Sequence, residues 1–104
     1  MIIYVDIDET ICKTSKNRDY TESVPILSNI EKINKLYNEG HTIVYWTARG
    51  SVSDIDWTDL THNQLDAWGV KRHDIKLGKP HYDLFICDKA VNTERFFGDC
   101  NEKD

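Results

Sequence analysis

Apolar and polar positions along this chain follow two different periods, and the period changes at recognisable stops. Residues 2 to 8, "IIYVDID", begin with the unbroken run Ile2-Ile3-Tyr4-Val5, the pattern of a strand covered on both faces within a parallel sheet. Residues 26 to 39 place Ile26, Ile30, Ile33 and Tyr37 at helical spacing, with Leu27 and Leu36 widening the stripe. Pro25 suits the first turn of that helix and Gly40 its stop. The run "HTIVYW", residues 41 to 46, predicts a second strand, and residues 57 to 68 a second helix that buries Leu60, Leu65 and Trp68 before Gly69. A short extended piece falls at 75 to 77, "DLFIC" at 83 to 87 predicts the last strand, and a terminal helical turn carries Phe96 and Phe97.

Strand, helix, strand, helix, strand in this rhythm predicts right-handed crossovers and an open parallel sheet. The expected architecture is α/β: a small, three-layer, Rossmann-like sandwich forming one domain over residues 1–104. In such sheets ligands bind outside the carboxyl ends of the strands, and polar residues gather there. Asp6, Asp8 and Thr10 end the first strand, Thr47 and Arg49 follow the second, Lys79 precedes the last, and Asp88 closes it.

An apolar strand running into two aspartates raises a question of compensation, because burying an unpaired carboxylate is costly and two adjacent ones repel. Asp6 and Asp8 lie two apart and share a side while the chain stays extended. Together with the Asp8 carbonyl and Asp88 they would form an oxygen-rich site suited to Mg²⁺. Lys79 and the Thr47 hydroxyl would hold a tetrahedral oxyanion, with Gly78 and Pro80 fixing the chain around the lysine. A metal, a lysine, a hydroxyl and a free carboxylate suggest phosphoryl transfer, in which the carboxylate serves as nucleophile.

Composition narrows the partners. Of the 104 residues 39% are hydrophobic and 30% charged, and no apolar run approaches the roughly 20 residues of a bilayer span. A formal net charge of −5 argues against broad nucleic-acid binding. Cys12, Cys87 and Cys100 are odd in number and lack C-x-x-C spacing, which suits free thiols, and the start lacks a leader pattern, so a cytoplasmic location is expected. The four histidines lack metal-ligand spacing, although His81 stands two residues beyond Lys79 and is assigned to the pocket border. Trp46, Trp57 and Trp68 read as core or core-edge residues, with Trp57, in the least patterned stretch, the one to test for substrate contact, and Cys87 reads as a small buried residue.

With these residues in place, the chain resembles the phosphatases of the haloacid dehalogenase superfamily. "DIDET" (6 to 10) is similar to the D-x-D-x-T signature, "YWTAR" (45 to 49) to the strand ending in Thr or Ser, "GKP" (78 to 80) to the lysine motif, and "FICDKA" (85 to 90) to the terminal acidic strand. The resemblance implies Asp6 as nucleophile and Asp8 as general acid and then base. It also implies Thr47 and Lys79, with the adjacent Ala48, as phosphate ligands, and Asp6, Asp8 and Asp88 around Mg²⁺. Beside this, the position of Arg49 fits either a surface ion pair or a substrate contact, and His81 is placed with the substrate-binding residues. Thr10 would stabilise the turn. Two departures stand out: Cys87 occupies the place of a second acidic residue, and segments 11 to 22 and 50 to 57 are too short for a cap domain, leaving an open site for loops or an oligomeric neighbour to cover.

The stretch "THNQLDAWGVKRHDIKLGKP" further resembles small capless members found among bacterial surface-polysaccharide genes. The expected activity is therefore a Mg²⁺-dependent phosphomonoesterase acting on a small phosphorylated metabolite, a sugar or polyol phosphate, with no nucleic-acid or membrane partner. The competing readings are a phosphotransferase, a phosphoacceptor switch with little turnover, and a degenerate binding protein. A receiver-type switch would need an aspartate beside Thr47, where none stands.

Overall fold

Parallel pairing organises the centre of the molecule. A computed structural model describes residues 1–14, 19–50 and 56–98. Strands β1 (Ile2–Val5), β4 (Thr42–Trp46) and β5 (Asp74–Lys76) form a parallel sheet in the order β1-β4-β5, with Ile3 opposite Ile43 and Tyr45 opposite Ile75. A two-residue antiparallel ribbon joins β2 (Cys12–Lys13) to β3 (Val24–Pro25). Helices α1 (Leu27–Asn38), α2 (Thr58–Ala67) and α3 (Thr93–Phe97) complete an arrangement consistent with a Rossmann-like α/β fold.

The helical stripe read from the sequence is present with trimmed ends. Ile30 and Ile33 of α1 are buried and Leu36 and Tyr37 pack against the core, but Leu27, the first residue of the helix, is 60% exposed. Pro25 pairs in β3 rather than opening the helix, and Gly40, at φ 101°, ends it in a backbone region that favours glycine. On α2, Leu65 is fully buried while Leu60 and Trp68 are half-buried. The core joins Val5, Ile7, Ile11, Ile43, Tyr45, Val70, Ile75 and Phe97 to these helix positions. Among the described residues, no helix is long and apolar enough to cross a membrane.

Three expectations are corrected. The opening strand is covered on one face only: Val5 is buried, but Ile2 is 73% and Tyr4 52% exposed. Residues 83 to 87 form no strand. The run has β-forming residues but no ladder partner, since β1 pairs with β4 alone among the described residues, and every residue from 81 to 91 is exposed. Cys87 is consequently exposed rather than buried. Of the short segments in place of a cap, residues 15–18 and 51–55 lie outside the described residues, as does Cys100.

Candidate active site

β1 stops at Val5, and the chain then curls so that the backbone N–H of Thr10 and of Ile11 both donate to the Ile7 carbonyl at 3.1 and 2.9 Å. This curl presents Asp6 and Asp8 at the end of the strand. Thr10 anchors it in two ways: its hydroxyl meets that of Thr93 at 2.7 Å, and its carbonyl accepts from the buried Asn29 side chain at 2.8 Å. The turn function expected of Thr10 is thus visible in its contacts.

Across the rim, Thr47 and Lys79 are locked by backbone bonds. The Thr47 N–H donates to Lys76 at 2.9 Å, and the Lys79 N–H returns to the Thr47 carbonyl at 2.9 Å. Gly78, at φ 79°, makes the turn that brings the lysine back. The Lys79 ammonium stands 3.6 Å from Asp6 and lies over the rings of Trp46 and Tyr82 at 5.5 and 5.4 Å. Asp6, Asp8, Glu9, Tyr20, Thr47, Ala48, Lys79, Pro80, His81 and Tyr82 line one pocket of about 240 Å³.

Arg49 does not line that pocket. It is fully buried, and its guanidinium grips Asp8 through both carboxylate oxygens at 2.8 and 3.0 Å. Its remaining N–H groups donate to Thr61 at 3.1 Å, Gln64 at 2.7 Å and Ser23 at 3.5 Å, and its charge lies 4.5 Å from the Tyr20 ring centre. Gln64 in turn donates to the Tyr20 carbonyl. The assignment of Arg49 to substrate is therefore corrected: desolvated and surrounded, it has no N–H left to turn outward.

The surroundings push the two carboxyls in opposite directions. Burial pushes the Asp6 carboxyl up, and Lys79 offsets this only in part. Burial acts on Asp8 as well, but the hydrogen bonds and charge of Arg49, helped by the Thr14 hydroxyl, outweigh it and hold Asp8 below the usual range. Asp8 rests as a carboxylate. The Cys12 thiol, buried beside it, is pushed up to about 11 and stays protonated.

The expected magnesium set of Asp6, Asp8 and Asp88 is not assembled. Among the described residues no three acidic, histidine or cysteine side chains stand together as a metal cluster, and Asp88 falls in the exposed run 81–91 that never joins the sheet. Arg49 engages both carboxylate oxygens of Asp8, so of the expected ligands Asp6 and the Asp8 main-chain carbonyl are the ones at this rim, with Asp88 apart from them.

Trp57 packs edge-on against Tyr20 at 5.0 Å and is absent from the pocket lining, whereas His81 is part of it. Sequence reasoning missed Glu9, Tyr20 and Tyr82 in the lining, together with the Thr14, Ser23, Thr61 and Gln64 partners of the Asp8–Arg49 pair. The adjacency of Glu9 to Asp8 and of Tyr82 to His81 was the available signal.

The fold and this rim define an α/β protein with paired carboxylates and a lysine at a strand-end pocket. No family model matches the chain and no curated protein matches it significantly. A crystal structure of a structural-genomics target from Vibrio cholerae matches at 30% identity and a TM-score of 0.79, covering 93% of this chain and 88% of that one. The chain belongs to the same family as that Vibrio cholerae protein.

Proposed function

We propose that the chain is a haloacid dehalogenase-like phosphatase without a cap, acting on a small phosphate ester. The observation that carries this reading is the exposed face of Asp6 set 3.6 Å from Lys79, with Thr47 and Ala48 lining the same pocket. The Asp6 side chain is 44% exposed, open to an incoming phosphorus, while Lys79 offsets both its charge and that of a bound phosphoryl group. The Thr47 oxygen accepts from the Arg49 N–H at 3.2 Å, which leaves its own hydrogen for a phosphate oxygen.

In this reading an Asp6 oxygen forms the new bond to phosphorus and the ester oxygen leaves with the bonding pair. Because Asp8 rests as a carboxylate, the leaving oxygen takes its proton from water at the open mouth. Asp8 then acts in the second half, drawing a proton from the water that attacks the aspartyl-phosphate and frees Asp6. The division of labour rests on Arg49, which fixes Asp8 in place and in charge. Absence of an acid in the first step predicts a steep dependence of rate on leaving-group basicity.

A sugar or polyol phosphate and a cytoplasmic setting are the accompanying expectations, and the related alternative keeps Asp6 phosphorylation but transfers or retains the group. A panel of phosphate esters, assayed with and without Mg²⁺ and with Asp6→Asn as the blank, tests the proposal. Phosphate release lost in Asp6→Asn supports it; equal release by both proteins overturns it. Stable phosphorylation of Asp6 without turnover would favour the phosphoacceptor alternative.

A further inference from the structure

Glu9 is the one non-glycine residue with positive φ among the described residues, at 63°. L side chains are disfavoured there, and where they occur without local need the position often serves a site. The local contacts of Glu9 are modest. Its carboxylate accepts from the Thr14 N–H at 3.2 Å and meets Lys13 at 3.5 Å, an exposed pair of the kind that adds little to stability. Its backbone N–H donates to the Cys12 carbonyl at 2.8 Å, a bond that glycine would make equally well. The turn therefore asks for a backbone conformation and not for a carboxylate.

Glu9 nevertheless lines the pocket. It is 53% exposed and shares the lining with Asp6, Lys79, His81 and Tyr82. A carboxylate beside the phosphate position repels a second anionic group on the substrate and accepts hydrogen bonds from hydroxyls. The tyrosine ring in the same lining offers an apolar surface to C–H groups.

We propose that Glu9 is the specificity-determining residue of this site, accepting hydroxyl hydrogens from the alcohol portion of a neutral, polyhydroxylated phosphate monoester. This rests on the phosphatase reading and adds to it a residue that selects the leaving group. Both aspartates and Lys79 act on the phosphoryl group, so only Glu9 in the acidic part of the lining remains for the alcohol.

The test compares a hexose 6-phosphate with propyl phosphate, two alkyl esters of similar leaving-group basicity that differ in hydroxyls. Parent, Glu9→Gly and Glu9→Gln are measured for kcat and KM on each, together with thermal unfolding. The parent is expected to favour the hexose ester by about tenfold or more in kcat/KM, and the ratio to fall by about tenfold in Glu9→Gly, chiefly through KM, with Glu9→Gln between them. The Tm of Glu9→Gly should equal or exceed that of the parent, since glycine adopts this φ freely.

An active parent with no preference, or a preference unchanged in Glu9→Gly, overturns the inference alone. So does a parallel loss on both esters accompanied by a lower Tm, which would make Glu9 a turn residue. A parent that hydrolyses neither ester, nor any other on the panel, overturns the phosphatase reading and this inference with it.

Discussion

At the end of β1, the Asp8 and Arg49 side chains sit almost out of water, 11% and 0% exposed, yet every polar atom of the carboxylate and the guanidinium has a partner. Between residues 81 and 91 the situation is reversed: Leu84 and Ile86, apolar side chains from the most strand-like run of the sequence, are 75% and 86% exposed. The contrast teaches that burial follows partners and not residue type. A charged pair is buried when a fork of N–H groups meets both carboxylate oxygens, and an apolar run stays outside when no edge receives it.

The largest effect expected from this contrast is on chemistry. Asp6→Asn should lower phosphate release by about a thousandfold or more, because the nucleophile is lost and an amide cannot replace it. Its thermal stability should hold, since Asp6 is a carboxyl whose burial already disfavours its charge. A phosphatase assay beside a melting curve separates the two outcomes. Activity that survives in Asp6→Asn would move the chemistry away from the partnered rim.

Next in size is the pair itself. Asp8→Asn leaves the Arg49 charge buried without its counterion and should destabilise the fold by about 3 kcal/mol at neutral pH, read by urea unfolding. The sign of its pH dependence follows from the lowered Asp8 carboxyl. The stabilisation is fully present above the ordinary value of 3.8 and is lost as pH falls through the lower folded value. The difference between parent and Asp8→Asn should thus persist at neutral and mildly acidic pH and shrink below about 3.8. A gap that closed already near neutrality would show that Arg49 does not hold Asp8 charged.

How much of this was legible in the sequence differs between the two regions for the same reason. The strand at 42 to 46, the helix stripe of Ile30 and Ile33, and the return of Lys79 to the rim beside Asp6 could be read from period and from glycine stops, because those signals are local. From the sequence Arg49 fits a surface ion pair or a substrate contact, since nothing beside it announces Thr61 and Gln64, which arrive from α2 more than a helical turn away in the chain. Residues 83 to 87 have the composition of a strand. Pairing is decided by a partner edge, which composition does not encode.

Asp88 sharpens the comparison at an intermediate scale. With the segment exposed as described, Asp88→Asn should change phosphate release by no more than about twofold at any Mg²⁺ concentration. A loss of about tenfold or more that rising Mg²⁺ restores would show instead that residues 81–91 close onto β1 and deliver Asp88 to Asp6. That outcome would merge the two regions into one site.

The smallest expected effect falls on the exposed run itself. Ile86→Ser removes a large apolar side chain, but one that is 86% exposed has little burial to lose, and its stability should stay within about 0.5 kcal/mol of the parent. Ile43→Ala, at a fully buried position facing β1, is the control and should cost about 2–5 kcal/mol through lost burial and the cavity left behind. Denaturant midpoints of the two proteins measure the difference directly. If Ile86→Ser approached the cost of Ile43→Ala, the side chain would have to be packed in solution, and the free edge of β1 would be the surface receiving it. If it did not, the exposed run would owe its apolar side chains to something other than the stability of this fold.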